Sequence, residues 1–283
     1  MAPLPPSLIE RARAFADGDG AIAPTRDAAT VVLLRERAGG LETYLLRRAP
    51  SMAFAAGMYV FPGGSVDARD ADAGRRSGWA GPPPATWAAW LGCDEVLARE
   101  LVCAAVRETF EESGILLAGP SEDEVVGDTT ATEWESDRLG LLDRSHSLGD
   151  LLARRRLVVR SDLLRAWGHW ITPEFEPRRF DTRFFVAAVP DGQRTRDVGG
   201  EADRVVWLPV RAAVEQYDAG TLPMLPPTAV TLRELSSYDN LADVAAAPRD
   251  IRPLMPRVVD EDGEIRLVLD GPRGEQPADE VPS

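Results

Sequence analysis

The chain has 283 residues, 44% of them hydrophobic, and a net charge of −14, which is material for one large core with additions or for two small domains. That charge argues against a nucleic-acid groove or an anionic membrane surface as the main partner, while a small polyanion bridged by a metal ion stays open. All 32 cationic residues are arginines, so lysine Schiff-base chemistry and a P-loop lysine are excluded.

Residues 1–24 read as an N-terminal extension without the apolar core of a secretory signal. "DAATVVLLRE" (27–36) and "LETYLLRR" (41–48) are strand-like and form a hairpin through "RAGG". "GMYVFPGGS" follows as a short strand stopped by Pro62 and two glycines. The next stretch, rich in Gly, Pro and Trp, carries turn signals and no sustained period. A helix is expected from Asp94, its cap, to Ser113, with Gly114 as the stop.

Residues 119–150 are acidic and read as irregular, loop with short helix. "LLRAWGHWIT", "RRFDTRFFVAAVP" and "DRVVWLPV" give three more strands, "RAAVEQYDAG" and "PPTAVTLRELSSYDNLADVAAA" the closing helices. "RVVDEDGEIRLVLDG" suggests a hairpin, and 271–283 a disordered tail. Mixed strands and helices of this kind make one α/β sandwich with appended pieces. Cys93 and Cys103, with no CxxC pair, read as reduced packing thiols. No apolar run reaches membrane-spanning length, so cytoplasm is the expected compartment.

The expected helix contains "RETFEESG" (107–114). With Glu108 at the origin, Glu112 falls at about 40° and Glu111 at about −60°, so three carboxylates share one face. Val102, Cys103, Val106 and Phe110 form the opposite, apolar stripe. Arg107 stands four residues before Glu111 and can pair with it. A solvated acidic face explains such a run. So does a hard divalent cation, which carboxylate oxygens on one rigid helix suit. Spacing alone leaves both readings open.

"PGGSVDARD" and "AAVRETFEESGIL" together resemble the signature box of the Nudix hydrolases. Gly64 and Asp70 match its first half, and Arg107, Glu108, Glu111, Glu112, Gly114 and Ile115 its second. The match departs from the family in having Asp where Glu is usual, in Thr109 after Glu108, and in the 36 residues between Asp70 and Arg107. The split box, the aspartate and "FPGG" are similar to the branch of coenzyme A and acyl-CoA diphosphatases that carries a long insertion.

The resemblance implies a Nudix-type α/β/α sandwich with a mixed sheet. The expected Nudix domain is 25–220, with an insertion at 71–99 inside the box and the acidic segment 119–150, and 221–270 is a C-terminal extension of helices and a hairpin. Glu108, Glu111 and Glu112 would bind Mg²⁺ or Mn²⁺, Gly64 would offer its carbonyl, and Arg107 would orient Glu111. Glu201 is a further candidate acid, with a plain loop glutamate as its rival, and Asp70 is open between a site acid and a turn residue. The implied partner is a small nucleoside diphosphate derivative, with CoA or acyl-CoA ahead of ADP-ribose, NADH or a nucleotide sugar. A nucleotide-sensing module without hydrolysis is the alternative of another class. Relatives also suggest a homodimer through the C-terminal pieces.

Arg47, Arg48, Arg178 and Arg179 flank expected strands, and their forks suit substrate phosphates; Arg183 is similar, and surface counter-ions are the rival reading. Trp79, Trp87 and Trp90 are expected to form the insertion's small core more than to stack on a base. His146 and His169 are isolated, and His169 reads as strand packing.

Overall fold

The computed structural model describes residues 6–16, 21–50, 52, 55–196, 202–261, 264–269 and 276–277. After helix α1 (Pro6–Ala16), strand β1 (Thr25–Arg37) turns back into β2 (Gly40–Arg48), antiparallel, with Leu34 opposite Thr43. β1 is buried along both faces: Ala29, Val31 and Leu33 enter one core, and Val32 and Leu34 the other. A strand covered on both sides needs a continuous apolar run, which "AATVVLL" provides.

Two short strands, β3 (Tyr59–Val60) and β4 (Gly63–Ser65), flank Pro62 and pair with β2 and β1. The glycine pair, expected to stop a strand, is therefore itself part of the sheet. Residues of the insertion form α2 (Asp70–Arg76), β5 (Trp79–Ala80) and α3 (Pro84–Leu91), which lead into the long helix α4 (Glu95–Ser113). β6 (Ala118–Gly119), α5 (Thr132–Leu142), α6 (Leu148–Arg155) and β7 (Val158–Arg160) come next. β7 pairs with β5 and β6 in a small second sheet, which fastens the insertion to the segment after α4.

β8 (Arg165–Ile171), β9 (Arg179–Ala188) and β10 (Ala202–Pro209) complete the main sheet with β11 (Pro253–Leu254), in the order β10-β2-β1-β9-β8-β11. β1 and β9 run parallel and the other main pairs, β11–β8 apart, run antiparallel, so the sheet is mixed. Helix α4 packs on one face; α7 (Val210–Asp218) and α8 (Pro226–Leu235) cover the other. The result is an α/β/α sandwich. α9 (Leu241–Ala246) follows, then the hairpin β12 (Pro256–Glu261) and β13 (Glu264–Leu269), with β14 (Gln276–Pro277) beside β13. The rest of the expected tail, 271–275 and 278–283, lies outside the described residues. Among the described residues no helix is long and apolar enough to cross a membrane.

The segment 119–150 is irregular chain with short helix, α5 and the start of α6. Leu148, Leu151 and Leu152 bury one face of α6, and a Ser147–Asp150 capping box starts it. Helices of two or three turns show little periodicity in the sequence.

Candidate functional site

Helix α4 is fixed at both ends as the sequence suggests. The Asp94 side chain accepts from Leu97 N at 2.9 Å, and Gly114 closes the helix at φ 76°, in the left-handed region. Its apolar stripe enters the core, with Val102, Cys103 and Val106 fully buried. Glu108, Glu111 and Glu112 fall in its last two turns, where no basic residue occupies the last turn and the helix dipole is unfavourable to carboxylates. The positive charge comes instead from one turn earlier.

Arg107 is that charge, and it serves three acids at once. Its Nε and Nη2 donate to Asp70 Oδ1 and Oδ2 at 2.9 and 3.0 Å. Nη1 donates to Glu108 Oε1 at 2.7 Å and lies 3.3 Å from both Glu111 oxygens, while Nη2 also reaches Ser65 O at 2.9 Å. Glu112 turns the other way and accepts from Gly63 N at 2.8 Å. So three carboxylates, Asp70 included, surround one buried guanidinium, and a fourth, Glu112, stands beside them on the helix. Burial pushes the Glu108 carboxyl up to about 7 against the pull of Arg107, with the Glu111 charge adding to the rise. Burial also raises Glu111 and Asp70 in spite of their bonds to Arg107.

The glycine pair lets the loop come this close. A Cβ on Gly64 would sit 2.4 Å from Glu108 Oε1, and one on Gly63 would sit 2.5 Å from Ala29 O. Both glycines and the three glutamates line a cleft of about 760 Å³, a size usual for small-molecule sites. Arg48, Arg69, Arg138, Arg144 and Arg178 line it as well.

The candidates therefore divide. Gly64, Arg107, Glu108, Glu111, Glu112, Arg48 and Arg178 come together in the cleft, and Asp70 joins them as the buried partner of Arg107. Arg47 does not line it: it forms a two-bond pair with Asp203 at 2.7 and 2.8 Å. Arg179 does not either, because its guanidinium is spent on Thr172 O and Ala23 O, which ties β9 to the chain before β1. Arg183 holds Leu91 O and Asp181. Glu201 lies outside the described residues. His169 pairs with Asp181 at 2.5 Å; neither it nor His146, whose ring lies beside Gly140, lines the cleft. Trp87 is wholly buried against Phe185 of β9 and Trp79 is partly buried against the same core, whereas Trp90, edge-on to Trp87, is 46% exposed, so the three rings do not form a separate core: Trp87 seats the insertion on the main one.

Sequence reasoning missed Arg69, Arg138 and Arg144. Arg69 and Arg144 both bind Asp67, whose carboxyl is held down at about 2, chiefly by the Arg69 hydrogen bond. Arg138, on α5, donates to Glu111 O at 2.8 Å. Arg144 takes a left-handed φ of 64° just after α5. Nothing in the local pattern marks these three, since their place depends on how α5 folds back over α4.

A model of the NUDT19 Nudix domain matches residues 93–235, just over half of the chain. The chain belongs to the Nudix hydrolase family. Within it, similarity points to the coenzyme A diphosphatase branch. The acyl-coenzyme A diphosphatase NUDT19 of Homo sapiens is 27% identical over 245 residues, covering 73% of this chain and 64% of that protein. Its Gallus gallus counterpart is 28% identical over 244 residues, covering 72% and 63%. The chain thus spans under two thirds of the length of these two relatives. The crystal structure of a Nudix hydrolase from Alicyclobacillus acidocaldarius matches 80% of this chain and 98% of its own at 30% identity and a TM-score of 0.69.

Nudix hydrolases generally use divalent metals, and the donor set here fits one. It offers only hard carboxylate and carbonyl oxygens, and Glu108 and Glu111 are raised by burial and crowding, so an added cation would relieve them. As the side chains stand, no three acidic, His or Cys groups among the described residues are grouped to hold an ion, because Glu108 and Glu111 face Arg107 and Glu112 faces Gly63 N.

Proposed function

We propose that this Nudix protein is a metal-dependent diphosphatase of CoA or acyl-CoA, releasing 3′,5′-ADP and 4′-phosphopantetheine or its acylated form. The observation that carries the reading is the carboxylate cluster around Arg107 on the floor of an arginine-lined cleft. The substrate assignment follows the similarity to acyl-CoA diphosphatases.

Glu108, Glu111 and Glu112, with the Gly64 carbonyl, would hold Mg²⁺ or Mn²⁺. When bound, such an ion supplies charge neutralisation of the diphosphate oxygens and a water of lowered pKa. Arg107, anchored by Asp70, keeps Glu108 and Glu111 from drifting apart and stops them repelling each other out of position. Gly63 N orients Glu112. Arg48 and Arg178 of the cleft lining clamp the substrate phosphates by their forks, and Arg69 and Arg144 add to that positive wall. A carboxylate takes the proton of the attacking water; Glu108, Glu111 and Glu112 line the cleft and are the candidates for this, with Glu201, which lies outside the described residues, a further one. A purely sensing module would need none of these acids, so their joint presence favours turnover.

Product analysis by mass spectrometry tests the reading. Purified protein with CoA and Mg²⁺ or Mn²⁺ should yield 3′,5′-ADP. Turnover of ADP-ribose, NADH or a nucleotide sugar in its place would keep the hydrolase and overturn the substrate.

A further inference from the structure

A helix ends with four backbone carbonyls that its own residues leave unsatisfied. In α4 these belong to Glu111, Glu112, Ser113 and Gly114, since Gly114 N still reaches back to Phe110 O. Each of the four has a partner from elsewhere in the chain. Arg138 Nη1, on α5, donates to Glu111 O at 2.8 Å. The Tyr44 hydroxyl, on β2, lies 3.3 Å from Glu112 O. Arg196 N donates to Ser113 O at 2.9 Å, and Thr129 Oγ1 to Gly114 O at 2.8 Å. Two of these carbonyls belong to proposed metal ligands.

Among these four donors only that of Arg138 carries a charge. Its guanidinium is itself held: Nε and Nη2 grip the two Glu135 oxygens at 3.0 and 2.6 Å, which leaves Nη1 for Glu111 O. Arg196 Nη1 donates to the same Glu135 at 2.9 Å, so the brace is anchored on both sides. Arg138 is 3% exposed, and a charge that deep is little screened by salt. It stands at the negative end of the α4 dipole, where the last turn holds carboxylates and no basic residue.

We infer that Arg138 is a positioning residue for metal binding: it offsets the dipole at the end of α4 and locks the turn from which Glu111 and Glu112 project. The inference rests on the metal-dependent reading above, and not on which diphosphate is cleaved. Arg107 and Arg138 divide the work. Arg107 collects the side chains of Glu108 and Glu111 from within the helix, and Arg138 fixes the backbone of Glu111 from outside it. Helix ends fray unless they are held, and Mg²⁺ tolerates little error in the placement of its oxygens. A charge-assisted hydrogen bond to the carbonyl is roughly twice as strong as a neutral one. The acidic segment 119–150 thereby becomes part of the site, because α5 delivers both Arg138 and Glu135.

Mn²⁺ alone is the probe, titrated into substrate-free protein and followed by the electron paramagnetic resonance of the free ion. Arg138→Met keeps an apolar stem and removes the charge. Loss of an outer partner of a metal site costs about 10- to 100-fold in affinity, and Arg138→Met should weaken Mn²⁺ binding by that much. Arg138→Lys keeps the charge without the fork and should recover most of the loss. Glu135→Gln leaves Arg138 in place but loosens its anchor, and its Mn²⁺ affinity should fall between those of Arg138→Met and the unaltered protein. The Glu135 side chain is 32% exposed, so this variant should fold even where Arg138→Met does not. In turnover, Arg138→Met should lose kcat at low Mn²⁺ and regain most of it at saturating Mn²⁺, with the substrate KM unchanged.

A raised KM with Mn²⁺ affinity intact would make Arg138 a direct phosphate contact and overturn the inference. A lowered Tm with unchanged Mn²⁺ affinity in the folded variants would mark a merely structural brace and overturn it too. If the unaltered protein bound no Mn²⁺, the metal-dependent reading would fall and this inference with it. The titration needs no substrate, so failure of CoA as the substrate is read separately.

Discussion

Arg107 and Asp70 lie 37 positions apart in sequence, yet they share two hydrogen bonds of 2.9 and 3.0 Å, with Asp70 only 1% exposed. The whole insertion loops out between them and returns in register. A paired ion this deeply buried is costly to break from one side, since the guanidinium keeps its desolvation penalty. Asp70→Asn should therefore lower unfolding free energy by about 3 kcal/mol and reduce turnover, because Arg107 would lose the anchor that aims it at Glu108 and Glu111. Urea unfolding beside steady-state kinetics checks this. Unchanged stability would mean that the pair is not formed.

Gly64 and Glu108 are in contact across the cleft floor. In Gly64→Ala the new methyl would sit 2.4 Å from Glu108 Oε1 unless one of them moved. A shift of that kind at a reacting centre costs on the order of 10²-fold in rate. The variant should fold, as judged by circular dichroism, and lose that much kcat. Retained activity would show that the glycine is not needed for the close approach.

The charge crowding also predicts how metal and pH interact. Without a cation, Glu108 titrates in the folded protein at about 7, above its ordinary value of 4.5. Its contribution to stability is thus full below about 4.5 and is lost as pH rises through about 7. A bound divalent ion favours the ionised form, so its stabilising effect must grow over the same window. The Tm gain from Mg²⁺ or Mn²⁺ should be larger at about pH 8 than at about pH 5. Equal gains in a thermal-shift series would contradict this.

The insertion's seat on the main core should rest on Trp87. Trp87 is wholly buried and Trp90 is 46% exposed. Trp87→Ala should cost about 3–5 kcal/mol by opening a cavity beside Phe185, whereas Trp90→Ala should stay within roughly 1 kcal/mol. Denaturant midpoints separate them. Similar losses would mean that Trp90 carries packing of its own.

Much of this was legible in the sequence because its causes are local. The Asp94 cap, the Gly114 stop, the two faces of α4 and the β1–β2 hairpin each follow from neighbours a few residues apart. The partners of individual arginines were not, because pairing depends on the tertiary path. Arg47 and Arg48 are adjacent on β2, but the first faces Asp203 on β10 and the second lines the cleft. Arg178 and Arg179 divide in the same way. Arg138 and Arg144 carry no signal at all, because a short acidic helix has to fold back over α4 before either reaches the cleft.

The most direct test of the account is mass-spectrometric analysis of products from CoA with Mg²⁺ or Mn²⁺, for the unaltered protein and for Glu112→Gln. Glu112 lines the cleft and is oriented by Gly63 N at 2.8 Å. Loss of even an outer partner of a metal site costs about 10- to 100-fold, so a proposed direct ligand should cost roughly 100-fold or more. The account predicts 3′,5′-ADP from the unaltered protein and almost none from the variant. Equal product from both, or none from either while a nucleotide still binds, would contradict it.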